Sequence, residues 1–314
     1  MCARHACSPL EALLVDSAFD ADVYPDEPMR RHTMYRIGGP ARAYILVNSP
    51  AALSAALAAC KADECPWVVV GKGSNLLVSD AGFKGAVIVL AGEFRNWKFD
   101  EENARVVVGA GTTLSRLVQE VFHRGYSGME FAVGTPGSVG GAVRMNAGTK
   151  DDWIGSRVVS VTTFAPDQGL KRYAPSDIEW AYRSTSFAPD EIIVEVELQL
   201  TPALSGNIHD KMRTLLERRK ASQPLEYPSC GSVFKNPEGA SAGALIDEVG
   251  LKGSMCGGAQ ISEKHANFIV NKNKACASDV LALIKRAQEK VKEHYGIELQ
   301  PEVKFLGFEE EFKS

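Results

Sequence analysis

No stretch of this sequence approaches the ~18 consecutive apolar residues of a membrane-spanning helix. No secretory signal is expected, because the apolar run at residues 10–15 is short and broken by Glu11. A cytoplasmic location is expected. Charge of one sign is scarce: 35 Lys plus Arg face 39 Asp plus Glu, a net charge of −4. That excludes the basic footprint of a nucleic-acid binder, and an anionic ligand must be gripped by local groups. The seven cysteines (Cys2, Cys7, Cys60, Cys65, Cys230, Cys256 and Cys276) form no C-x-x-C pair and no zinc-ligand spacing. They read as reduced thiols of a cytosolic protein, with no metal site. Repeats, low-complexity tracts and heptads are absent too. What remains is a chain of 314 residues, 45% hydrophobic, long enough for two or three domains.

The apolar pattern outlines those domains. Tyr44-Ile45-Leu46-Val47 predicts a strand, and Ser49-Pro50 an N-cap and first residue of a helix reaching Ala62. Short strands follow at residues 67–70 and 86–90, then a strand at 105–108 and a helix at 114–123 closed by Gly125. Residues 158–164 and 192–200 predict long strands, the second alternating apolar and acidic. Composition shifts near Thr201-Pro202. Beyond it come a charged helix (210–220), a short helix (242–249) ending at Gly250, and a strand at 267–270. Ser278 is expected to cap a long helix ended by Gly296, and a last strand spans 302–305. The pattern amounts to two α/β subdomains, residues 1–90 and 91–203, followed by a C-terminal α/β domain, residues 204–314.

Two glycine-rich segments stand out. One is Gly71-Lys72-Gly73-Ser74-Asn75, followed by Leu76. The other is Gly134-Thr135-Pro136-Gly137-Ser138-Val139-Gly140-Gly141-Ala142. Glycines let backbone N–H groups turn inward and cradle a diphosphate without cationic side chains. Neither segment is a dinucleotide fingerprint, since Leu76 stands where the third glycine belongs, and neither closes with the Gly-Lys-Ser/Thr of a P-loop. Each alone also fits a tight turn.

Three polar groups fall at expected loops or strand ends. In Trp180-Ala181-Tyr182-Arg183 an arginine lies among aromatics, where it can pack on ring faces and still offer a fork to a carboxylate. In Ser229-Cys230-Gly231-Ser232-Val233-Phe234-Lys235-Asn236, bracketed by Pro228 and Pro237, Gly231 leaves Ser232 uncovered. Lys235 and Asn236 there offer donors to phosphate oxygens. Pro301-Glu302 puts a carboxylate at the start of the last expected strand. A surface arginine, an ordinary loop and a strand-end glutamate are the plainer alternatives.

Together these segments resemble the bacterial UDP-N-acetylenolpyruvoylglucosamine reductases (MurB). His32-Thr33-Met34-Tyr35-Arg36-Ile37-Gly38-Gly39-Pro40-Ala41 is similar to that family's N-T-x-x-x-I-G-G-P-A opening. Both glycine segments, Tyr182-Arg183, the Gly231 loop, Ala242-Gly243-Ala244-Leu245-Ile246-Asp247 and Pro301-Glu302 match in order and spacing. Ser262-Glu263-Lys264-His265-Ala266-Asn267-Phe268 and the short Arg183-to-Ser232 interval look like the type II branch. The resemblance implies an α+β protein: an FAD-binding fold of the PCMH/vanillyl-alcohol-oxidase type in two subdomains, plus a UDP-sugar domain. It implies non-covalent FAD on Gly71, Lys72, Gly73, Ser74, Asn75, Leu76, Gly134, Thr135, Pro136, Ser138, Gly141 and Ala142. NADPH would reduce the flavin, which would pass a hydride to the enolpyruvyl ether of UDP-N-acetylglucosamine enolpyruvate, giving UDP-N-acetylmuramate for peptidoglycan. Arg183 would stabilise the enolate, Ser232 would protonate C2, and Glu302 would lie opposite. Tyr182, Tyr227, Lys235 and Asn236 would hold the UDP-sugar.

The chain departs from the family pattern at His32 (usually Asn), at Cys230 (usually Ala) and around Asn146-Ala147-Gly148, where Arg144, Met145, Thr149 and Lys150 replace common aromatics. A flavin-dependent sugar or alcohol oxidase of the same fold is an alternative, but the first glycine segment lacks the histidine that such oxidases use for covalent flavin. A non-enzymatic flavin or UDP-sugar binder would have dispensed with Ser232, Arg183 and Glu302.

Overall fold

The computed structural model describes residues 8–13, 19–149, 151–203 and 205–308. Cys2, Cys7, Lys150 and Leu204, where the third domain was expected to begin, lie outside them. The chain forms two compact units, and both are discontinuous. One takes the residues up to Glu27, Ala41–Gly71 and Lys84–His209; the other takes Pro28–Pro40, Lys72–Phe83 and the chain from Asp210 onward.

The first unit contains two sheets. One has four strands in the order Ala21–Pro28, Pro40–Val47, Phe83–Leu90, Trp67–Val69. Its helix Pro50–Ala62 begins as the sequence predicts: Ser49 Oγ accepts the Ala52 N–H at 3.4 Å and Pro50 supplies the first helical residue. Strand Ala21–Pro28 carries two prolines and no apolar alternation, so nothing in its sequence announces a strand. It lies at the sheet edge, where a missing N–H costs nothing. The other sheet has five antiparallel strands in the order Gly169–Tyr173, Val158–Ala165, Ile192–Gln199, Arg105–Gly109, Trp97–Asp100. In Ile192–Gln199, Val194, Val196 and Leu198 are buried while Glu195 and Gln199 face out, the alternation its sequence shows. Helix Leu114–His123 buries Leu114, Leu117, Val118, Val121 and Phe122 on one stripe, and Gly125 follows at φ +78°.

The second unit packs helix Ala277–Tyr295 on a three-stranded antiparallel sheet, Met255–Cys256, Ala259–Ile261 and Ile269–Asn271. Val280, Leu283, Ile284, Ala287 and Val291 form the helix's buried stripe, and Gly296 ends it in the left-handed region. Ser278 is not the cap. The helix starts at Ala277, and the Asp80 carboxylate accepts the N–H groups of Ala277 and Ser278 at 2.7 and 3.0 Å. The sequence could not show this, because the acceptor comes from 197 residues away. Leu76–Val78 pairs in parallel with Lys304–Leu306. Tyr35, Ile37 and Leu77 join the core of this unit, which is why residues 28–40 and 72–83 belong to it. Two expected strands shift: Asn267 and Phe268 precede the strand Ile269–Asn271, and Glu302 lies before Lys304–Leu306. Among the described residues no helix is long and apolar enough to cross a membrane.

Candidate active site

The first glycine segment is a turn of unclaimed donors. The N–H groups of Gly71, Lys72, Gly73, Ser74 and Asn75 meet no acceptor among the described residues. Gly73 sits at φ +58°, and a Cβ there would stand 2.2 Å from the His32 carbonyl oxygen, so only glycine fits. The family departure at His32 thus touches this turn through its backbone. Past the turn, Asn75 Nδ2 donates to the Glu302 carbonyl at 2.9 Å, and Lys304 N–H donates to the Asn75 carbonyl at 3.0 Å.

The second segment opens a helix. Ser138 is the N-cap of Val139–Arg144, its Oγ accepting the Gly141 N–H at 3.2 Å. The Val139 and Gly140 N–H groups are taken by the carbonyls of Thr112 and Ala110, whereas those of Gly134, Gly137 and Ser138 have no acceptor among the described residues. Gly71 is brought against this segment, since a Cβ on it would lie 2.3 Å from Ser138 Oγ. Backbone donors without acceptors, in turns packed too closely for side chains, suit a diphosphate. The residues therefore fit FAD. Leu76 and Ala142 are buried, so only their main chain could meet it.

Tyr182 and Arg183 are the two central residues of a hairpin between Trp180–Ala181 and Ser184–Thr185. Arg183 adopts φ +59°, a conformation that costs a non-glycine residue ~1 kcal/mol or more. Its guanidinium donates to the Gly148 carbonyl at 3.0 Å and lies 5.2 Å from the centroid of the exposed Tyr182 ring. Asn146 Nδ2 donates to Ala181 O at 3.1 Å, and Thr185 Oγ1 to Arg144 O at 3.0 Å. The Asn-Ala-Gly segment after the second glycine helix thus carries the Arg183 hairpin. Arg144, one of the departures, grips the carbonyls of Phe187, Ala188 and Glu191. Burial lowers its pKa, and the Glu191 and Asp190 carboxylates oppose that shift. Its job is to hold the chain after the hairpin.

The segments that carry Ser232 and Glu302 are joined by main-chain pairing, with Glu302 opposite Val233. Glu302 N–H donates to Val233 O at 2.7 Å, Lys235 N–H donates to Gln300 O at 2.9 Å, and Phe234 faces Pro301. Ser232 and Glu302 are both half-buried, while Val233 and Phe234 point into the core. Partial burial, and then the Lys235 ammonium nearby, hold Lys304 below its ordinary pKa. Asn236 Oδ1 accepts the Ala242 N–H at 3.0 Å, and the exposed Tyr227 ring has Lys272 Nζ 6.0 Å from its centroid. The Cys230 thiol donates to Leu76 O at 3.1 Å, and burial pushes its pKa up to about 12. A residue that the sequence left in a strand proves central to this loop: Asn267, which hydrogen-bonds both main-chain groups of Phe234. Only its place in the Ser262-to-Phe268 motif hinted at it.

Known proteins resemble this chain in sequence and fold. A family profile described as "UDP-N-acetylenolpyruvoylglucosamine reductase, C-terminal domain" matches residues 223–306, and one described as "FAD binding domain" matches residues 41–169. UDP-N-acetylenolpyruvoylglucosamine reductase 2 of Symbiobacterium thermophilum is 44% identical over 282 residues, 90% of this chain and 91% of its own length. The chain belongs to the MurB reductase family. The Geobacter metallireducens reductase is 42% identical over 92% of this chain and 95% of its own. The crystal structure of Thermus caldophilus MurB superposes with a TM-score of 0.78 at 39% identity, covering 91% of this chain and 98% of that one. The expected α+β fold, a PCMH-type FAD-binding domain with the MurB C-terminal domain, is borne out. The oxidase and regulator alternatives are not favoured.

Proposed function

We propose that this protein reduces UDP-N-acetylglucosamine enolpyruvate to UDP-N-acetylmuramate with NADPH, in the cytoplasm, for peptidoglycan synthesis. Residues 1–90 and 91–203 serve the flavin, and residues 204–314 serve the UDP-sugar. FAD, when bound, would supply the hydride chemistry that links NADPH to C3 of the enolpyruvyl group. The unclaimed N–H groups of Gly71, Lys72, Gly73, Ser74, Asn75, Gly134 and Ser138 would hold FAD through its diphosphate, and Thr135, Pro136, Gly141 and the main chain of Leu76 and Ala142 would contribute to the same cofactor contacts. Arg183 stabilises the negative charge that develops on the substrate carboxylate; a permanent planar cation suits a delocalised enolate. Its bond to Gly148 and its fixed hairpin limit reorganisation when that charge appears. Ser232 gives its proton to C2, and the strongly basic enolate compensates for a weakly acidic hydroxyl. Glu302 stands by in a protonated or hydrogen-bonded form that does not oppose the charge. Tyr182, Tyr227, Lys235 and Asn236 receive the UDP-sugar, Lys235 adding positive charge beside Lys304.

The observation that supports this reading is the main-chain pairing between the Ser232 segment and the Glu302 segment, which carries both half-buried residues on one hydrogen-bonded frame. Stopped-flow absorbance of the flavin tests it by separating the two half-reactions. Ser232→Ala should leave flavin reduction by NADPH near normal and slow reoxidation by the enolpyruvyl sugar ~10² to 10⁴-fold. Equal slowing of both steps would make the loop structural, and no slowing would shift the proton to another donor. Reoxidation of the wild-type flavin by oxygen alone, and not by the sugar, would favour an oxidase.

A further inference from the structure

Asn267 is 4% exposed, and a buried carboxamide is costly unless every polar atom is paired. Its pairing is unusual in kind. Oδ1 accepts the Phe234 N–H and Nδ2 donates to the Phe234 carbonyl, both at 2.9 Å. One side chain thus takes the place of a neighbouring strand. The Asn267 carbonyl accepts the Val233 N–H at 2.8 Å, and the Asn267 N–H donates to His265 Nδ1 at 3.2 Å. From the opposite edge, Glu302 N–H binds Val233 O at 2.7 Å. Upstream, Asn271 N–H binds Pro228 O at 2.9 Å. The buried Val233 and Phe234 side chains fix where their Cα atoms lie, but packing leaves the tilt of the intervening peptide planes open. The plane between Ser232 and Val233, whose tilt would swing the Ser232 hydroxyl, is held by the Asn267 carbonyl, and the planes on either side of Phe234 that brace it are held by the Asn267 carboxamide. These hydrogen bonds are what forbid the tilt.

We propose that Asn267 is the positioning residue for Ser232: it locks the peptide planes at Val233 and Phe234 and thereby holds the hydroxyl where it can release its proton. This role rests on the function proposed above. Asn267→Asp keeps the size and the acceptor but turns an oxygen toward the Phe234 carbonyl, so half of the clamp becomes repulsive. In stopped flow with the FAD-loaded enzyme, reduction by NADPH should keep its wild-type rate. Reoxidation by the enolpyruvyl sugar should slow ~10²-fold, the usual effect of an ångström-scale misplacement, and its solvent deuterium isotope effect should rise because proton delivery now limits the step. On a Ser232→Ala background the same substitution should change reoxidation by less than about twofold, since no hydroxyl remains to be positioned. Equal slowing of both half-reactions, or the full factor persisting without Ser232, would overturn the role. Amide exchange of the wild-type protein adds a test that needs no variant: the Val233 and Phe234 amides should exchange slowly, and rapid exchange there would refute the clamp. A wild-type flavin that the sugar fails to reoxidise would remove the proposed function, and this role with it.

Discussion

Gly71→Ala should weaken FAD binding through a single collision. Gly71 is outside the left-handed region, so alanine is acceptable to the backbone itself. Its new methyl, however, would lie 2.3 Å from Ser138 Oγ and 3.0 Å from Ser138 Cβ. The hydroxyl could rotate away, but it caps the helix Val139–Arg144 through the Gly141 N–H. Rotation forfeits ~1 kcal/mol of capping; staying put costs ~1–3 kcal/mol of overpacking. With about 2 kcal/mol lost from the FAD-competent arrangement, affinity should fall ~30-fold. Titrating FAD into the FAD-free protein, followed by flavin fluorescence, measures it. Adding Ser138→Gly removes both colliding atoms and costs the cap only a few tenths of a kcal/mol, so the double variant should recover most of the affinity. Binding within about twofold of wild type for Gly71→Ala, or a further loss on adding Ser138→Gly, would refute the steric account.

Arg183→Lys keeps the charge and loses the fork, so sugar-dependent reoxidation of the flavin should slow ~10²-fold while reduction by NADPH persists; an unchanged rate would assign Arg183 to its hairpin alone. Cys230→Ala should leave both half-reactions nearly normal, and in the native protein the Cys230 thiol, pushed up to about 12 by burial, should resist thiol reagents until denaturation. Labelling as fast as that of the half-exposed Cys256 and Cys276 would contradict that burial. Asp80→Ala removes two bonds to the start of helix Ala277–Tyr295 and should cost ~1–2 kcal/mol, read calorimetrically as a Tm lowered by ~2–6 °C; Asp80→Asn should lose less. Burial, and secondarily Lys252, hold the His265 pKa below 6.5, so the unfolded chain takes up that proton first as pH falls. Its contribution to stability should be complete above about pH 6.5 and decline as pH drops through the folded value. A His265→Asn protein whose melting temperature fell with pH as steeply as wild type's would place the titration elsewhere.

What the sequence by itself determined is what lies within a few residues. Helix Pro50–Ala62 begins at a serine and a proline, helix Leu114–His123 ends before a glycine, and strand Ile192–Gln199 alternates, because caps and side-chain periods act over one turn or one strand pair. The ordered motifs also carried the family and singled out Arg183, Ser232 and Glu302 for the chemistry proposed here, since those residue types are legible wherever they fold. Partners far along the chain were not legible. Cys276, not Ser278, is the N-cap of the last long helix, whose first N–H groups go to the distant Asp80, and Ala21–Pro28 became a strand only because a sheet edge could accept its prolines. Asn267 reached Phe234 across 33 positions, and Asn75 reached Glu302 across 227. Residues 28–40 and 72–83 joined the C-terminal unit because Tyr35, Ile37 and Leu77 are buried in its core. A hydrogen bond needs one donor and one acceptor of ordinary type, so sequence does not say which of many equivalent groups will meet. Burial of the apolar faces decides that, and tertiary structure alone records the outcome.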